Sequence, residues 1–337
     1  MVIKEYLKLA RSFNAVLTGV SPVMGAIAME EYDIFFLFLL FLVGFLGHTF
    51  GFVFNDIIDY QIDKSSKEIS DRPLISGTIS LKKAWIFAIL SAVFAFIIAF
   101  YIAYNTQYYY PILLLTISGI FIILYDLNSK KFPGMDIFVG LGIFFLILFG
   151  ALSTTDNIYK ITQLTWIVCV LGSIQVLFMQ FIAGGMKDIE NDYKRKAKTI
   201  AIKMGVRITN GKLKVSPSFK TLAYGIQLVD LIVVFLPFFI IWDTYNLTTL
   251  QYIQWIIITL IGIAMFYLSY KLLSMKQFNR DKARIYIGSH YMVNFTIVPI
   301  MLMTLNPWAG ILLFFPGLGF ILSNIIIHGT IAQPKTM

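Results

Sequence analysis

The sequence predicts an all-α fold, a polytopic membrane helical bundle of nine or ten transmembrane helices. Of its 337 residues, 58% are hydrophobic and only 13% are charged, and the mean hydropathy is +0.79. A soluble globular protein of this length needs more polar surface in contact with water. Apolar runs of about twenty residues also recur along the chain, and each is long enough to cross a bilayer as a helix.

The predicted spans follow one another in a single domain. Apolar runs begin near Asn14, Phe35, Ala84, Tyr109, Ile137, Leu164, Leu222, Tyr252 and Tyr286, and a tenth runs from Ala309 to Ile327. The first run lacks a small-x-small cleavage site and another span follows it at once, so we expect it to stay in the mature protein. No linker rich in Pro, Gly or Ser divides the chain, which predicts one integral-membrane domain over residues 1–337.

Basic residues are concentrated in alternate connections between the spans. The chain carries 27 Lys and Arg against 18 Asp and Glu, and the connections on one side hold only Lys160. The positive-inside rule therefore predicts a multi-pass protein of the cell membrane with its basic side in the cytoplasm. Attraction to lipid head groups accounts for most of these charges, so nucleic acid binding is not predicted. The single cysteine, Cys169, excludes an intrachain disulfide and a thiolate metal cluster.

A cluster of acidic residues follows directly after the second predicted span. Asp56, Asp59 and Asp63 are spaced by three and four residues, which places them on one helical face, and Asn55 precedes them. Asp56 would stand at the inner edge of the hydrocarbon, where an ionised carboxylate is costly unless it is paired or faces water. A divalent cation would relieve this cost and the mutual repulsion. Magnesium prefers oxygen ligands and keeps phosphate oxygens in its shell, so it is the predicted cofactor.

A second acidic pair ends the sixth predicted span. Asp188 and Asp192 are one helical turn apart and point the same way, while Glu190 between them is offset. Both acidic clusters end even-numbered spans, so they lie on the same membrane face, and we expect them to face each other across one pocket. Arg72 and Lys130 follow the second and fourth spans and could supply cations for phosphate oxygens.

Small residues in the second predicted span indicate close helix packing. Gly44, Gly47 and Gly51 fall on one side of that span, where they let a neighbouring helix approach although lipid provides no hydrophobic drive. His48 lies between them, and no second histidine stands at a metal-binding spacing. We interpret the glycines as packing residues and His48 as a hydrogen-bonded interior residue.

The two acidic motifs resemble those of the UbiA superfamily of intramembrane prenyltransferases. The motifs of that family are Asn-Asp-x-x-Asp-x-x-x-Asp and Asp-x-x-x-Asp, and both are present in full. As in the family, the first is followed by Arg72-Pro73-Leu74-Ile75-Ser76-Gly77 and the second by Lys198-Thr199-Ile200-Ala201. The resemblance covers about residues 5–275, and the apolar spans over 286–328 extend beyond it.

Two shorter signals add to this resemblance. Arg11 and Asn14 match the first-helix signal of the family, and Tyr125 with Lys130 matches its central Tyr and Lys. Asp126 departs from the pattern, because the family commonly has a small residue at that position.

The resemblance implies helices around a central cavity and a Mg²⁺-dependent transfer of a prenyl group from a polyprenyl diphosphate to a lipophilic acceptor, with release of diphosphate. The acceptor would be an aromatic quinone precursor or a glycerol phosphate ether lipid, and no protein partner is expected beside the membrane lipids. With the predicted topology, the active site faces the cytoplasm. The implied catalytic residues are Asp56, Asp59, Asp63, Asp188, Asp192 and Tyr125, and the five aspartates are also the implied metal ligands. The implied diphosphate-binding residues are Asn55, Arg72, Lys130, Lys67 and Lys198, and the implied substrate-binding residues are Arg11, Asn14 and Glu190.

The sequence leaves the general base and one rival function open. Glu190 or Asp63 could take the proton of the acceptor, and their spacing does not distinguish them. The alternative function is a secondary transporter coupled to a cation or proton, because intramembrane carboxylates often mark transport routes. Prenyl transfer is favoured, since the acids stand at one interface and their spans have no Gly-Pro breaks near the centre.

Overall fold

The computed structural model describes residues 2–64, 69–194, 197–209, 211–242 and 246–331, and this part of the chain is helical except for one short hairpin. Eight of its helices are long and apolar enough to cross a membrane, and two shorter apolar helices join them. We number these ten helices in chain order. Spans 1 to 5 are Ser12–Ile27, Ile34–Ile58, Leu81–Thr106, Pro111–Asn128 and Asp136–Leu152. Spans 6 to 10 are Gln163–Lys187, Pro217–Ile240, Thr249–Leu273, Arg280–Leu302 and Pro307–His328.

The predicted all-α membrane bundle is therefore confirmed, and each span begins within a few residues of its predicted start. The shorter helices are spans 1 and 5, with 16 and 17 residues. Three spans are segmented: span 6 into Gln163–Phe178, the π-helical turn Met179–Gly184 and Gly185–Lys187, span 9 into Arg280–Phe295 and Ile297–Leu302, and span 10 into Pro307–Leu312 and Phe315–His328.

Short elements lie between the spans. The additional helices are Val2–Leu9, Tyr60–Asp63, Ile158–Lys160, Ile189–Lys194 and Ile200–Lys203. Strands β1 (Arg207–Thr209) and β2 (Lys212–Lys214) pair antiparallel, with Ile208 opposite Leu213. The hairpin docks on the connection between spans 8 and 9, where the Leu213 backbone N–H donates to the Lys276 carbonyl at 3.0 Å.

Polar side chains fix where most spans begin. A side-chain oxygen accepts a bond from a backbone N–H in the first turn of spans 2, 3, 6, 7, 8, 9 and 10, which satisfies a donor that has no partner within the helix. The capping residues are Asp33, Ser80, Thr162, Ser216, Thr248, Asn279 and Asn306. These caps fix the starting residue of seven of the ten spans.

Span 1 lies at the centre of the first half of the bundle, in contact with spans 2, 5 and 10. Glycines make its contact with span 5 a contact between backbones. A Cβ atom on Gly150 would lie 1.9 Å from the Pro22 carbonyl oxygen, and one on Gly25 would lie 2.1 Å from the Ile147 carbonyl oxygen. Because apolar side chains gain nothing by leaving lipid, such close packing is what associates helices in a membrane. It fixes the position of the residues at the start of span 1.

The glycines predicted to pack along span 2 have different roles. A Cβ on Gly44 would lie 3.0 Å from the Thr18 carbonyl oxygen on span 1, and one on Gly51 would lie 2.9 Å from Ile122 on span 4, so both are packing residues. The prediction is wrong for Gly47, where an added Cβ would have no atom of the described residues within 4 Å, and this glycine instead lines a cavity. His48 is buried and bonds to the Thr18 hydroxyl at 2.7 Å, as predicted for an interior residue.

A buried hydrogen-bond network ties together spans 7, 8 and 9 in the second half of the bundle. The Gln227 side-chain amide donates to the Ser269 hydroxyl at 2.7 Å and also contacts the His290 ring nitrogen. The His290 ring stacks on Phe178 of span 6, with 4.2 Å between the ring centroids. The hydrogen bonds position His290 and its ring stacking holds span 9 against span 6, and both spans contribute to the site described below.

We predict that Gly150→Ala lowers the free energy of unfolding in detergent micelles by about 2 kcal/mol or more, because the added methyl group pushes spans 1 and 5 apart. The matched control is Gly225→Ala on span 7, where the added Cβ has open space among the described residues. Alanine is the better helix former, so this change is expected to be neutral or to stabilise by up to about 1 kcal/mol. Equal losses in both variants would contradict backbone contact between spans 1 and 5.

Candidate active site

A cavity of about 610 Å³ lies at the end of the bundle that carries both acidic motifs, which we call the motif end. Charged side chains line its part at the motif end, and apolar side chains line the part that reaches into the bundle. On span 4 the lining runs from Tyr125 back to Leu115, which is about 15 Å along a helix axis. A cavity with a charged end and a long apolar interior matches an amphiphile with an anionic head group and a hydrocarbon tail.

The first acidic motif occupies the end of span 2 and the helical turn after it. Span 2 ends at Ile58, and the chain continues as the turn Tyr60–Asp63, with the Asp63 N–H donating to the Asp59 carbonyl at 2.8 Å. Because helical spacing continues across this junction, all three aspartates remain close together. Asp56, Asp59 and Asp63 are 5%, 7% and 5% exposed, so their charges are largely removed from water.

Cations from three separate segments neutralise these carboxylates. The Asp56 carboxylate accepts from Arg11 at 2.7 Å and lies 3.4 Å from Arg72. Arg72 also donates to Asp63 at 2.7 Å. Lys130 contacts Asp59 at 2.6 Å. Arg72 and Lys130, which the sequence assigned to phosphate contacts, therefore form ion pairs with the first motif while both still line the cavity.

Burial sets the electrostatics of this wall. Burial raises the pKa of Asp59 above its ordinary value, which Lys130 opposes and the carboxylates of Asp63 and Asp56 reinforce. Burial also disfavours the charged form of Arg72, but the surrounding carboxylates outweigh it and raise the pKa of that guanidinium. Each of these two side chains therefore depends on its charged neighbours for its charged state.

The second acidic motif is presented by an irregular end of span 6. A π-helical turn at Met179–Gly184 precedes the last turn of the span, and the helix breaks at Asp188 before Ile189–Lys194 begins. A π turn widens the helix locally and changes which side chains face a given neighbour, and such turns are frequent at functional sites. Asp188 and Asp192 line the cavity.

Asp188 is held by two cations, but less tightly than the aspartates of the first motif. Its carboxylate lies 3.4 Å from the Lys187 ammonium and 3.2 Å from the Arg280 guanidinium, and its side chain is 37% exposed. Arg280 begins span 9 and lies 92 residues after Asp188 in the chain, so this wall combines the end of span 6 with the start of span 9.

The two motifs meet across the cavity, as predicted. Arg72 interacts electrostatically with Asp188 of the second motif as well as with the three aspartates of the first. Asp59 and Asp63 line the cavity together with Asp188 and Asp192. Carboxylates from both motifs therefore border the same space, although each belongs to a different helix.

The end of span 4 supplies a third side of the cavity. Tyr125 and Lys130 both line it, and so does Asp126, which accepts a bond from the Asn55 side-chain amide at 2.9 Å. Asp126, the position that departs from the resemblance, therefore orients the asparagine of the first motif. Arg11 lies with its guanidinium 4.6 Å from the centre of the Phe52 ring.

The predicted site residues divide into three groups. Ten line the cavity, namely Arg11, Asn14, Asn55, Asp59, Asp63, Arg72, Tyr125, Lys130, Asp188 and Asp192. Asp56, Glu190 and Lys198 are not part of the lining, and Asp56 is instead covered by its contacts with Arg11 and Arg72. Lys67 lies outside the described residues.

The sequence analysis did not assign Lys187 or Arg280 to the site. Both were counted among the basic residues that determine topology, and neither has a spacing that separates it from the other lysines and arginines of the same connections. Only the packing of span 9 against span 6 brings Arg280 to Asp188. The sole sequence signal was the position of Lys187 directly before the second motif.

The carboxylates suit a magnesium ion only in combination with a phosphate ligand. Within the described ranges, no three His, Cys, Asp or Glu side chains are close enough to form a metal site by themselves. However, Mg²⁺ is commonly bound through one or two carboxylates, with waters and substrate phosphate oxygens completing an all-oxygen shell. Asp59, Asp63, Asp188 and Asp192 offer such oxygen donors on two sides of the cavity, so the donor set fits that ion.

Comparison with known proteins gives consistent results. The sequence profile described as the UbiA prenyltransferase family matches residues 16–295. The digeranylgeranylglyceryl phosphate synthase of Saccharolobus solfataricus is 30% identical over 253 residues, which cover 72% of this chain and 86% of that protein. The synthase of the same name from Sulfurisphaera tokodaii is 25% identical over 217 residues, which cover 62% of this chain and 73% of that protein.

Solved structures share the fold. A UbiA homologue from Aeropyrum pernix superposes with a TM-score of 0.66 at 15% identity, covering 90% of this chain and 98% of that one. A UbiA homologue from Archaeoglobus fulgidus bound to GPP and Mg²⁺ gives a TM-score of 0.56 at 15% identity, covering 87% and 99%.

We predict that Asp56→Asn strongly destabilises the protein, by about 3 to 5 kcal/mol, because it leaves the buried guanidinium of Arg11 without its carboxylate. The double variant Arg11→Gln/Asp56→Asn should lose less than the sum of the two single variants, which measures their coupling. The control is Asp156→Asn at the opposite end, which breaks an exposed pair with Lys160 and should not change stability measurably. Additive losses of Arg11 and Asp56 in micelle unfolding experiments would contradict the buried pair.

Proposed function

The chain belongs to the UbiA prenyltransferase family, and on this premise we propose that it transfers a prenyl group from a polyprenyl diphosphate to a glycerol phosphate ether lipid. The protein is a prenyltransferase built as a multi-pass membrane protein. The observation that carries the choice of reaction is the cavity bordered by both acidic motifs, with cations at its motif end and an apolar interior. The names of the relatives from S. solfataricus and S. tokodaii support an acceptor of the glyceryl phosphate type rather than an aromatic ring.

The donor would bind with its diphosphate at the motif end and its prenyl chain in the apolar interior. Arg72 and Lys130 would then exchange part of their contact with the aspartates for contact with phosphate oxygens. The lining of spans 4 and 5, including Leu115, Ile143 and Leu146, would surround the hydrocarbon chain. Burial of the prenyl chain would supply binding energy that does not depend on the diphosphate end of the donor, where the reaction occurs.

Magnesium is the proposed cofactor, and the UbiA homologue from A. fulgidus that binds GPP together with Mg²⁺ supports it. The residues that would hold the ion are Asp59 and Asp63 on one wall and Asp188 and Asp192 on the other. When bound, the ion would supply positive charge to the leaving diphosphate. Asp56, which the sequence also proposed as a ligand, would instead keep Arg11 and Arg72 in position, since both contact it and it does not line the cavity.

The reaction begins when the bond between the allylic carbon and the diphosphate oxygen breaks, and the electron pair leaves with diphosphate. Arg72 and Lys130 stabilise the charge that develops on the leaving group. The resulting allylic cation must be kept from water until the acceptor reacts, which the surrounding apolar helices favour. Tyr125 lines the cavity and could place its ring face near the positive carbon.

The hydroxyl oxygen of the acceptor then forms an ether bond to the allylic carbon, and its proton leaves. Of the two carboxylates that the sequence offered as a base, Asp63 lines the cavity and Glu190 does not. Asp63 is already a proposed metal ligand and pairs with Arg72 at 2.7 Å, so the proposed acceptor of the proton is the released diphosphate. The basic connections on the motif end support a cytoplasmic location for this chemistry.

We predict that Asp188→Asn and Asp192→Asn each lower the turnover of geranylgeranyl diphosphate by about a hundredfold or more, as expected when leaving-group stabilisation is lost. The measurement is release of diphosphate by the purified protein in detergent with a single-chain ether glycerol phosphate as acceptor. Asp156→Asn serves as the control, because Asp156 is exposed at the opposite end. Wild-type turnover in the two motif variants would remove the proposed site.

Chelation of divalent ions is expected to abolish turnover, and added Mg²⁺ is expected to restore it. Asp59→Asn should raise the Mg²⁺ concentration at half-maximal rate, because it removes one of the proposed oxygen ligands.

A panel of acceptors that includes both the ether glycerol phosphate and an aromatic carboxylate distinguishes the two acceptor classes. Transfer to the aromatic ring but not to the ether lipid would contradict the proposed acceptor and leave the reaction type intact.

A further inference from the structure

The apolar part of the cavity ends against the packed core of the bundle. On spans 2 to 5, the lining residues farthest from the motif end are Gly47, Phe96, Leu115 and Leu146. Leu115 and Leu146 are 7% and 6% exposed, and Phe96 packs against the hydrophobic cluster to which both belong. We call the side chains of Phe96, Leu115 and Leu146 the floor of the cavity.

The residues about one helical turn beyond the floor are closely packed. Val43 on span 2, Ala99 on span 3 and Phe149 on span 5 are at most 1% exposed, and they belong to the same cluster. Protein interiors of this kind are packed as densely as organic crystals, so a hydrocarbon chain enters them only by displacing side chains. The floor therefore closes the cavity at this depth.

The depth of the cavity is the same along the two spans that carry the acidic motifs. On span 2, the deepest lining residue, Gly47, precedes Asp59 by twelve residues. On span 6, the deepest lining residue, Val176, precedes Asp188 by twelve residues as well. Twelve helical residues correspond to about 18 Å along the axis. A chain whose diphosphate lies between the motifs thus has about 18 Å before it reaches the level of the floor.

An extended prenyl chain of four isoprene units has this length. Each unit adds four bonds to the main chain of the prenyl group. A fully extended chain advances about 1.2 Å per bond, as a polypeptide does with about 3.6 Å for the three bonds of each residue. Chains of three, four and five units therefore span about 14, 19 and 24 Å. The fourth unit reaches the floor, and a fifth unit would extend beyond it.

We propose that the floor limits the prenyl chain of the donor to four isoprene units. The inference rests on the proposed function, because it concerns the donor of that reaction. A donor with five units would have to fold back inside the cavity or push the floor side chains into the close-packed core, and both weaken binding. A donor with three units would leave apolar lining near the floor uncovered and lose its contacts. Phe96, Leu115 and Leu146 are thus specificity-determining residues for chain length.

Gly119 keeps the space directly above the floor open. It lines the cavity one turn from Leu115 on span 4, and an added Cβ would have no atom of the described residues within 4 Å. Long side chains on a helix lean towards its N-terminus, and span 4 begins at the end of the bundle opposite the motifs. Gly119→Leu would therefore direct its side chain towards the floor, into the space of the last isoprene unit.

The first test lowers the floor with Phe96→Ala and measures kcat/KM for prenyl diphosphates of three, four and five units. We expect the wild type to prefer four units over five by about tenfold or more, and Phe96→Ala to reduce this ratio to within about threefold. The matched control is Phe94→Ala, because Phe94 lies on the same span but is 51% exposed and does not line the cavity. It should keep the wild-type ratio.

Both donors are compared on one preparation, so a smaller folded fraction does not change the ratio. Phe96→Leu removes less volume and serves if Phe96→Ala does not fold. It should shift the ratio in the same direction. An unchanged ratio in a folded floor variant would overturn the proposal, and so would a wild type that uses four and five units equally well.

The second test fills the space above the floor with Gly119→Leu. We expect kcat/KM for three units relative to four units to rise about tenfold, because the last unit loses its space. The matched control is Gly225→Leu on span 7, where an added Cβ also has no atom of the described residues within 4 Å and where the residue does not line the cavity. An equal change in both variants, or no change in Gly119→Leu, would overturn the proposal.

Equilibrium binding separates this inference from the proposed function. The probes are unreactive prenyl thiodiphosphates of three, four and five units, measured in the presence of Mg²⁺. If the wild type binds the four-unit probe about tenfold more tightly than the five-unit probe but prenylates no acceptor, the proposed function fails while the floor stands. If the wild type prenylates the acceptor but binds both probes equally well, the floor is overturned while the proposed function stands.

Discussion

Pairing of charges at the edge of the membrane-spanning bundle is the constraint on which the rest of this structure depends. Three aspartates of one motif are at most 7% exposed, and no single helix could hold them there ionised. Their cations arrive from 45 residues before Asp56, from nine residues after Asp63 and from 71 residues after Asp59. The site therefore forms only when span 1, span 4 and the segment after span 2 are all in place. The charge pairs thus link the geometry of the site to the packing of the first half of the bundle.

Close backbone contacts make that packing specific. In lipid, burial of apolar surface does not favour helix association, so the glycine contacts between spans 1 and 5 determine their separation. Span 1 in turn carries Arg11 to the first motif. Where the chain needs space instead of contact, as at Gly47, a glycine of the same span faces the cavity. Small residues thus serve both purposes, and the tertiary environment decides between them.

The second wall shows how irregular helix geometry adapts a membrane span to a site. A π-helical turn and a break at Asp188 end span 6, and the incoming span 9 adds Arg280 from outside the motif. Both motifs therefore contribute carboxylates, while Arg280 comes from a segment to which the sequence analysis assigned no motif.

The sequence alone predicted nine or ten spans, the two acidic motifs and their common membrane face, because hydrophobic length and helical spacing are local properties. Ten of the fourteen residues that it assigned to the site also line the cavity. Only the tertiary structure decided that Asp56 is covered by arginines, that Glu190 does not line the cavity, and that Lys187 and Arg280 belong to the site. The physical reason is that ion pairing and burial depend on distances between segments far apart in the chain, which no spacing along one helix encodes.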